Sequence, residues 1–270
     1  MKSNESHINN FAYEGFEVFG SNNLIEKYRK SKISSVQKNI NRIKSLFDKK
    51  ITVLEVGSGN SKLLYALQQH DMLKEGYGVE ISKTRIDFAN KWKSDLNLSN
   101  VTNIHTNFFD HDLELIPGID LIYGSDLVFQ FFDPVTKGND RRFLQKAYKK
   151  LKPGGKILLE LDDHDRLLTA MKNNRVKVWQ ELEESDPWRY LLWDCDYDQN
   201  NTWITLNKIF IKRETSEVYK SAVILKNYSR TNAARLLKEQ NFVNIKLFEC
   251  WNAEGDIETD EFIIIGEKSD

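Results

Sequence analysis

The sequence predicts an α/β protein with three layers, in which helices cover both faces of a mostly parallel sheet. Short β-rich runs alternate with helical patterns over residues 51–161. A tight turn that contains Gly57 and Gly59 directly follows the first of these runs. Strands that alternate with helices require right-handed crossovers, which make neighbouring strands parallel and bury both faces of the sheet.

The elements of this unit follow one another in a regular order. Residues 22–47 keep apolar positions at helical spacing, which predicts one helix or two before the first strand. Helices are also expected after the first two strands, one around Leu63 and one that begins at Ser82 as its N-cap. Five strands are expected, at residues 51–56, 76–81, 101–105, 119–123 and 156–161.

The pattern changes after the fifth strand. A helical stretch is expected at residues 167–182, followed by three β-like runs at 188–195, 202–212 and 218–227. Polar turns separate these runs, so they predict an antiparallel meander, inserted at residues 186–228. A helix capped by Thr231 and a final hairpin of strands 243–251 and 259–266 complete a domain at 49–268, preceded by a helical or lid segment at 1–48.

Composition limits the partners that we expect. The chain has 270 residues and a formal net charge of -1, so it has no general electrostatic attraction to nucleic acid or to an anionic membrane. Cys195 and Cys250 form no metal-ligand spacing, and the polar N-terminus does not resemble a signal peptide. No apolar run approaches the roughly 18 residues of a membrane span. We expect a cytoplasmic protein without nucleic-acid or membrane partners, and the oligomeric state stays open.

The turn after the first strand predicts a nucleotide-like ligand. Glycines at positions 57 and 59 lack a Cβ atom, so backbone amides can approach a ligand closely at the start of the next helix. Glu80 lies 21 residues after Gly59, at the end of the second strand. A carboxylate at this place can accept both hydroxyls of a ribose. Together these features predict the adenosine part of a cofactor.

Two residues favour a cationic cofactor over a dinucleotide. A dinucleotide fingerprint needs a third glycine at position 62, where this chain has Lys62. Glu55 places a carboxylate two residues before the first glycine, which suits a sulfonium and an ammonium better than a pyrophosphate.

As a set, these residues resemble the first motif and the ribose acid of class I S-adenosylmethionine-dependent methyltransferases. The resemblance covers residues 51–268 and includes small-molecule members with a β-rich insertion after the fifth strand. It implies a Rossmann-like three-layer α/β/α fold, whose seven-stranded, mostly parallel sheet has an antiparallel last strand. It also implies S-adenosylmethionine as the cofactor, with S-adenosylhomocysteine as the product. The cofactor-binding residues that it implies are Glu55, Gly57, Ser58, Gly59, Glu80, Ile81, Asn107, Phe108, Gly124 and Ser125.

The predicted activity is in-line methyl transfer to nitrogen or oxygen of a small molecule. The sulfonium is already activated, so alignment supplies much of the rate and a base matters only for a protonated acceptor. The candidate bases are Asp126, His164 and Asp163, which follow the fourth and fifth strands. No metal is expected, although Asp126 with Asp162 and Asp163 could instead bind magnesium. The alternative functions are a nicotinamide-dependent oxidoreductase and a non-catalytic cofactor-binding protein of the same fold.

Two further segments are candidates for shaping the acceptor site. In the first run of the insertion, alternation predicts one packed face and one acidic face, which suggests an aromatic and acidic canopy over an amine-bearing acceptor. The packed face would carry Trp193, Cys195 and Tyr197, and the acidic face Asp194, Asp196 and Asp198. Near the N-terminus, aromatic residues are expected either to close over the cofactor or to fill a surface groove, namely Phe11, Tyr13, Phe16 and Phe19.

Overall fold

The computed structural model describes residues 14, 15, 17, 19–110, 112, 116, 118–171, 175–249 and 260–269. Its largest element is a seven-stranded sheet with the order β10-β11-β5-β4-β1-β2-β3. These strands are β1 (Ile51–Val56), β2 (Leu73–Glu80), β3 (Val101–His105), β4 (Ile119–Gly124), β5 (Leu151–Asp163), β10 (Phe242–Glu249) and β11 (Asp260–Lys268).

The strand directions confirm the predicted sheet. The pairs β1–β2, β1–β4, β2–β3 and β4–β5 are parallel, whereas β11 runs antiparallel to both β5 and β10. Between β1 and β4 the order of the strands reverses. In open α/β sheets, a crevice for ligands forms at this switch point, outside the carboxyl ends of the strands.

Helices cover both faces, which gives the expected three layers. They are α1 (Asn22–Ser35), α2 (Gln37–Leu46), α3 (Lys62–Gln69), α4 (Lys83–Asp95), α5 (Phe132–Val135), α6 (Asn139–Lys150), α7 (Asp165–Ala170) and α8 (Arg230–Glu239). One buried core packs α1 to α4 against the sheet, through residues such as Ile40 and Leu64. A second core packs α6 and α8 against the other face, through residues such as Phe143 and Leu237. Of the helices that the structure describes, none has the length and apolarity needed to cross a bilayer.

The insertion has one strand more than the sequence indicated. It is a four-stranded antiparallel sheet of β6 (Arg175–Glu181), β7 (Trp188–Asp198), β8 (Trp203–Lys212) and β9 (Val218–Lys226). The helix predicted over residues 167–182 is wrong over residues 175–181, because this segment is β6 and pairs with β7, with Val178 opposite Trp193. Valine and tryptophan favour strands. Where the local preferences for helix and for strand are both weak, pairing with a neighbouring strand decides the conformation.

The predicted alternation in β7 is confirmed, but it places the acidic side away from the main domain. Cys195 is buried, and Trp193 and Tyr197 pack with it in a small core that includes Phe131 and Leu168. The carboxylates at positions 194, 196 and 198 lie on the opposite face by alternation. An acidic canopy over the main domain is therefore not formed.

The predicted N-terminal lid lies largely outside the described residues, since these do not include Phe11, Tyr13 and Phe16. Phe19 is described and packs its ring 4.8 Å from the ring of Tyr28 and 5.4 Å from that of Phe88. Cys250 and the turn of the last hairpin also lie outside the described residues.

Candidate functional site

A cavity of about 320 Å³ lies at the carboxyl ends of β1, β2 and β4, at the switch point of the sheet. The glycine turn forms the floor of the cavity. One side of the cavity is an apolar slot, which the sequence did not indicate. The walls of this slot are Val79, Phe108, Phe109, Val128, Phe131, Phe132 and Val135. The sheet therefore brings residues that are far apart in sequence together around one cavity.

The glycine turn has a conformation that only glycine readily adopts. Gly57 and Gly59 have φ angles of 67° and 55°, in the left-handed region. A Cβ atom on Gly57 would lie 2.4 Å from Cγ2 of Val128, which is too close for any side chain. The turn brings the hydroxyl of Ser58 to the cavity, and this buried group has no hydrogen-bond partner among the described residues.

Glu80 is held in a fixed position beside the glycine turn. Its Oε2 accepts a hydrogen bond from the Gly59 backbone amide and its Oε1 from that of Ser82, both at 2.8 Å. Each carboxylate oxygen has further lone-pair capacity, so the group can still accept hydroxyl donors. A pair of ribose hydroxyls fits this donor and acceptor pattern.

The residues expected at the adenine position have different surroundings. Ile81, Asn107 and Phe108 all line the cavity. Asn107 Oδ1 accepts a hydrogen bond from the Phe109 backbone amide at 3.0 Å, so the side chain shapes its own turn. Phe108 is buried, with its ring 5.1 Å from the ring of Phe143.

Glu55 and Ser125 lie together at the ends of β1 and β4. Glu55 is almost fully buried, and its Oε1 accepts a hydrogen bond from the Ser125 hydroxyl at 3.2 Å. Its Oε2 has no partner in the described part of the chain. Burial raises the pKa of Glu55 to about 8. Gly124 packs under this region, since a Cβ atom there would lie 2.9 Å from Leu159 Cδ2.

Asp126 lines the cavity and forms an ion pair that the sequence did not indicate. Lys62 Nζ lies 3.1 Å from Asp126 Oδ2, and the side chain of Asp126 is 72% exposed. The Lys62 cation lowers the pKa of Asp126 below its ordinary value. The side chain at position 62 therefore reaches across the crevice to the carboxylate after β4.

The other two candidate bases lie away from this cavity. Asp163 pairs with Arg230 at 3.3 Å and accepts a hydrogen bond from the Asp165 backbone amide at the start of α7. His164 is buried 3.7 Å from Asp162, and burial lowers the pKa of His164 to about 4 and raises that of Asp162 to about 7. The described residues contain no cluster of three or more histidine, cysteine or acidic side chains that could hold a metal ion.

A buried ionic network, also missed by the sequence reasoning, lies over the glycine turn. The fully buried carboxylate of Glu17 accepts a bifurcated hydrogen bond from Arg85 Nε, at 3.0 Å to Oε2 and 3.2 Å to Oε1. It also accepts hydrogen bonds from Tyr28 Oη and Asn60 Nδ2. Arg85 lies against the turn, 3.1 Å from where a Cβ atom on Gly59 would be. These hydrogen bonds hold Glu17, in the segment before α1, against the wall of the cavity.

Comparison with solved structures shows which proteins share this fold. The CcbJ methyltransferase from Streptomyces caelestis is 13% identical and superposes with a TM-score of 0.67, over 97% of this chain and 99% of that chain. An S-adenosylmethionine-dependent methyltransferase from Clostridium acetobutylicum is 14% identical, with a TM-score of 0.65 over 91% of this chain and 92% of that one. CalS10, an amino pentose methyltransferase from Micromonospora echinaspora, is 12% identical, with a TM-score of 0.63 over 88% and 92%.

The sequence itself matches one family model, described as a methyltransferase domain, over residues 47–210. No curated protein matches the chain by sequence. The family match covers more than half of the chain and includes the glycine turn, Glu80 and the ends of β4 and β5. The chain therefore belongs to the methyltransferase domain family, and its fold is that of class I S-adenosylmethionine-dependent methyltransferases.

Proposed function

We propose that the protein transfers the methyl group of S-adenosylmethionine to a nitrogen or oxygen atom of a small molecule. The observation that carries this proposal is Glu80, fixed by two backbone amides at the mouth of an apolar slot. A ribose on this carboxylate directs its base into the slot. Lys62, which stands where a dinucleotide fingerprint needs its third glycine, forms an ion pair with Asp126 at the same cavity.

The residues present fit this cofactor. Ser58 lines the cofactor cavity and has a buried hydroxyl oxygen without a partner among the described residues. We assign the ribose to Glu80, the adenine slot to Ile81 with the Asn107 and Phe108 turn, and the methionine end to the loop ends of β1 and β4. That end comprises Gly57, Ser58, Gly59 and Ser125, which line the cavity; cofactor contacts of Glu55 and Gly124, which do not line it, stay predictions.

Chemically, the bound cofactor supplies a methyl group that is already activated by the sulfonium. The chain has to align the acceptor and exclude water. Asp126 is the one candidate base of the three that lines the cavity, and its lowered pKa suits orienting or charge-neutralising work better than removing a proton. His164 and Asp163 do not line this cavity. Catalytic roles for these two residues stay predictions.

A small acceptor is supported by the kinds of protein that share the fold. CalS10 is described as an amino pentose methyltransferase, and KedS8 from Streptoalloteichus as a sugar N-methyltransferase. The near-neutral net charge gives no support for a nucleic-acid acceptor. A cytoplasmic location and the absence of nucleic-acid and membrane partners stay predictions.

Titration calorimetry with S-adenosylmethionine, S-adenosylhomocysteine and NAD tests the proposal. We expect binding of the first two and not of NAD. Glu80→Ala removes charge-assisted hydrogen bonds worth about 1.5–3 kcal/mol, so affinity should fall roughly 10- to 150-fold. Glu75→Ala, at the other end of the same strand, is the control and should leave affinity unchanged. Tight NAD binding without binding of the methyl donor would instead support an oxidoreductase.

Turnover separates the enzyme from a binding protein of the same fold. Incubation with S-adenosylmethionine and a metabolite library should release S-adenosylhomocysteine with at least one acceptor. Cofactor binding without release of this product under any condition would point to the non-catalytic alternative.

A further inference from the structure

A second cavity, of about 400 Å³, lies next to the cofactor cavity on the side of helices α1 and α2. Its walls come from these helices and from the ends of β4, β5 and β11. It shares Lys32, Lys62, Ser125 and Asp126 with the cofactor cavity. The two cavities therefore meet at the Lys62–Asp126 ion pair. A methyl donor in the cofactor cavity would there face a methyl acceptor in the second cavity.

Glu160 of β5 presents a carboxylate to this second cavity. Its Oε1 accepts hydrogen bonds from Asn39 Nδ2 and Tyr123 Oη. Its Oε2 accepts one from the Asp126 backbone amide at 3.0 Å. A carboxylate has about four lone-pair positions, so about one remains for a ligand. The three donors hold the group in place without saturating it.

The backbone after β4 is bent in a way that creates one of these contacts. Asp126 and Leu127 have φ angles of 47° and 64°, a region that residues other than glycine rarely adopt. This bend directs the Asp126 amide at Glu160. Such conformations concentrate at functional sites, where the surroundings enforce them.

The charges around the second cavity favour a cation. Glu55 lines it and is 1% exposed, with an Oε2 atom that has no partner among the described residues. Glu160, Glu261 and Asp126 add three more acidic side chains, against the two ammonium groups of Lys32 and Lys62, and Lys62 is paired with Asp126. Burial favours the protonated form of Glu55, and a cation bound beside it would favour the ionised form. An ammonium group supplies both the hydrogen bond and the opposite charge.

We propose that the second cavity binds the methyl acceptor and that this acceptor is a small molecule with a basic amine. Glu160 accepts a proton from the amine. The inference rests on the proposed function and deepens it. The ammonium N–H donates to the remaining position on Glu160, and the proton moves to the carboxylate. The freed nitrogen lone pair then forms a bond to the methyl carbon while the carbon–sulfur bond breaks and its electron pair stays on sulfur. The methylated ammonium, neutral thioether and protonated Glu160 balance the charges of the reactants.

The environment of Glu160 suits this role. Burial and the nearby charge of Asp126 raise the pKa of Glu160 above its ordinary value. A carboxylate with a raised pKa accepts a proton more readily near neutral pH than one with an ordinary pKa. Asp126, whose pKa is lowered, is the weaker base of the two.

The test measures acceptor binding to the protein saturated with S-adenosylhomocysteine, which cannot donate a methyl group. The probes are amino sugars, aralkylamines and cyclic amines, each paired with the alcohol of the same skeleton. Calorimetry should show that at least one amine binds about tenfold or more tightly than its alcohol, because a charged hydrogen bond is lost in the alcohol. This comparison uses the unmodified protein, so it does not depend on the folding of a variant.

Glu160→Gln tests the named residue, with Glu267→Gln as the control. Glu267 is on the same sheet, pairs with Lys156 at 2.9 Å and does not line the second cavity. Glu160→Gln should weaken amine binding about tenfold or more and leave the affinity for S-adenosylhomocysteine within about twofold, as in the control.

Four results would overturn the assignment. Alcohols that bind as well as amines, or amines that all fail to bind, would refute the amine acceptor. Weaker S-adenosylhomocysteine binding in Glu160→Gln would show that the second cavity holds the methionine end of the cofactor instead. Failure of the unmodified protein to bind S-adenosylhomocysteine at all would reject the proposed function, and this inference with it.

Discussion

Gly57→Ala should destabilise the protein for two separable reasons. The left-handed backbone at position 57, with φ 67°, costs a residue with a Cβ atom about 1–2 kcal/mol. The new methyl group would also lie 2.4 Å from Val128 Cγ2, and overpacking of this kind costs about 1–3 kcal/mol. The expected loss in the free energy of unfolding is therefore about 2–5 kcal/mol.

The chain offers a matched control at Gly138. This residue also has a positive φ, 89°, but a Cβ atom there would meet nothing within 4 Å. Gly138→Ala should therefore show the backbone part alone, about 1–2 kcal/mol. The difference between the two variants measures the steric part at Gly57.

A double-mutant cycle with Val128→Ala isolates the contact. Removing Cγ2 leaves the Val128 Cβ atom 3.0 Å from the new methyl group, so most of the clash disappears. We expect Val128→Ala to recover about 1 kcal/mol or more in the Gly57→Ala background relative to its effect alone. Urea unfolding of the cofactor-free protein measures all four free energies. Equal losses in Gly57→Ala and Gly138→Ala, with no coupling to Val128, would refute the reasoning.

Three further predictions concern charged groups. Glu17→Gln breaks a buried ion pair with Arg85 and should lower the free energy of unfolding by about 3–5 kcal/mol, measured in urea. Lys62→Met removes the cation that lowers the pKa of Asp126, so NMR titration of this carboxyl carbon should show a higher pKa. The pKa of Asp162 is about 7 in the folded protein, against an ordinary value of 3.8. Its favourable contribution to the free energy of unfolding is therefore complete below pH 4 and is lost as the pH rises to 7. Asp162→Asn should therefore become more stable relative to the original protein over this range, by up to about 1.4 kcal/mol per pH unit in urea unfolding.

Each of these predictions has its own control or contrary outcome. For Glu17, the control is Glu239→Gln, since the largely exposed pair of Glu239 with Arg141 should contribute about 1 kcal/mol or less; an equal effect would contradict a special role for the buried pair. An unchanged Asp126 titration in Lys62→Met would show that the ion pair is not formed in solution. A difference between Asp162→Asn and the original protein that does not vary with pH would mean that Asp162 titrates normally.

Much of the fold could be predicted because its information is local and repetitive. Alternating strand and helix patterns indicate crossovers, and crossovers restrict the sheet to few arrangements. The helix expected over residues 167–182 failed where this information was weakest. In β6 charged and apolar residues alternate only over residues 175–178, which is too short to identify a strand, and pairing with β7 decides the conformation.

The candidate site divides in the same way. Gly57 and Glu80 could be recognised because a left-handed turn and a strand-end carboxylate have short-range signatures in the sequence. From the sequence, Lys62 is significant only because it replaces the third glycine of a dinucleotide fingerprint. Its contact with Asp126 joins residues that are 64 positions apart. No sequence pattern reports a pair of this kind.

The sequence by itself determined the class of the sheet, the glycine turn and the acid beside it, because these depend on neighbours along the chain. Only the tertiary structure decided which carboxylates face the cavities. Glu160 has no signal of its own within the strand expected at residues 156–161, yet hydrogen bonds from Asn39 of α2, Tyr123 of β4 and the bent backbone at Asp126 converge on it. His164 and Asp163, which follow the same strand, lie away from the cofactor cavity. The direction of a side chain at a strand end depends on pleat, register and packing across the whole sheet, and these are set by distant segments.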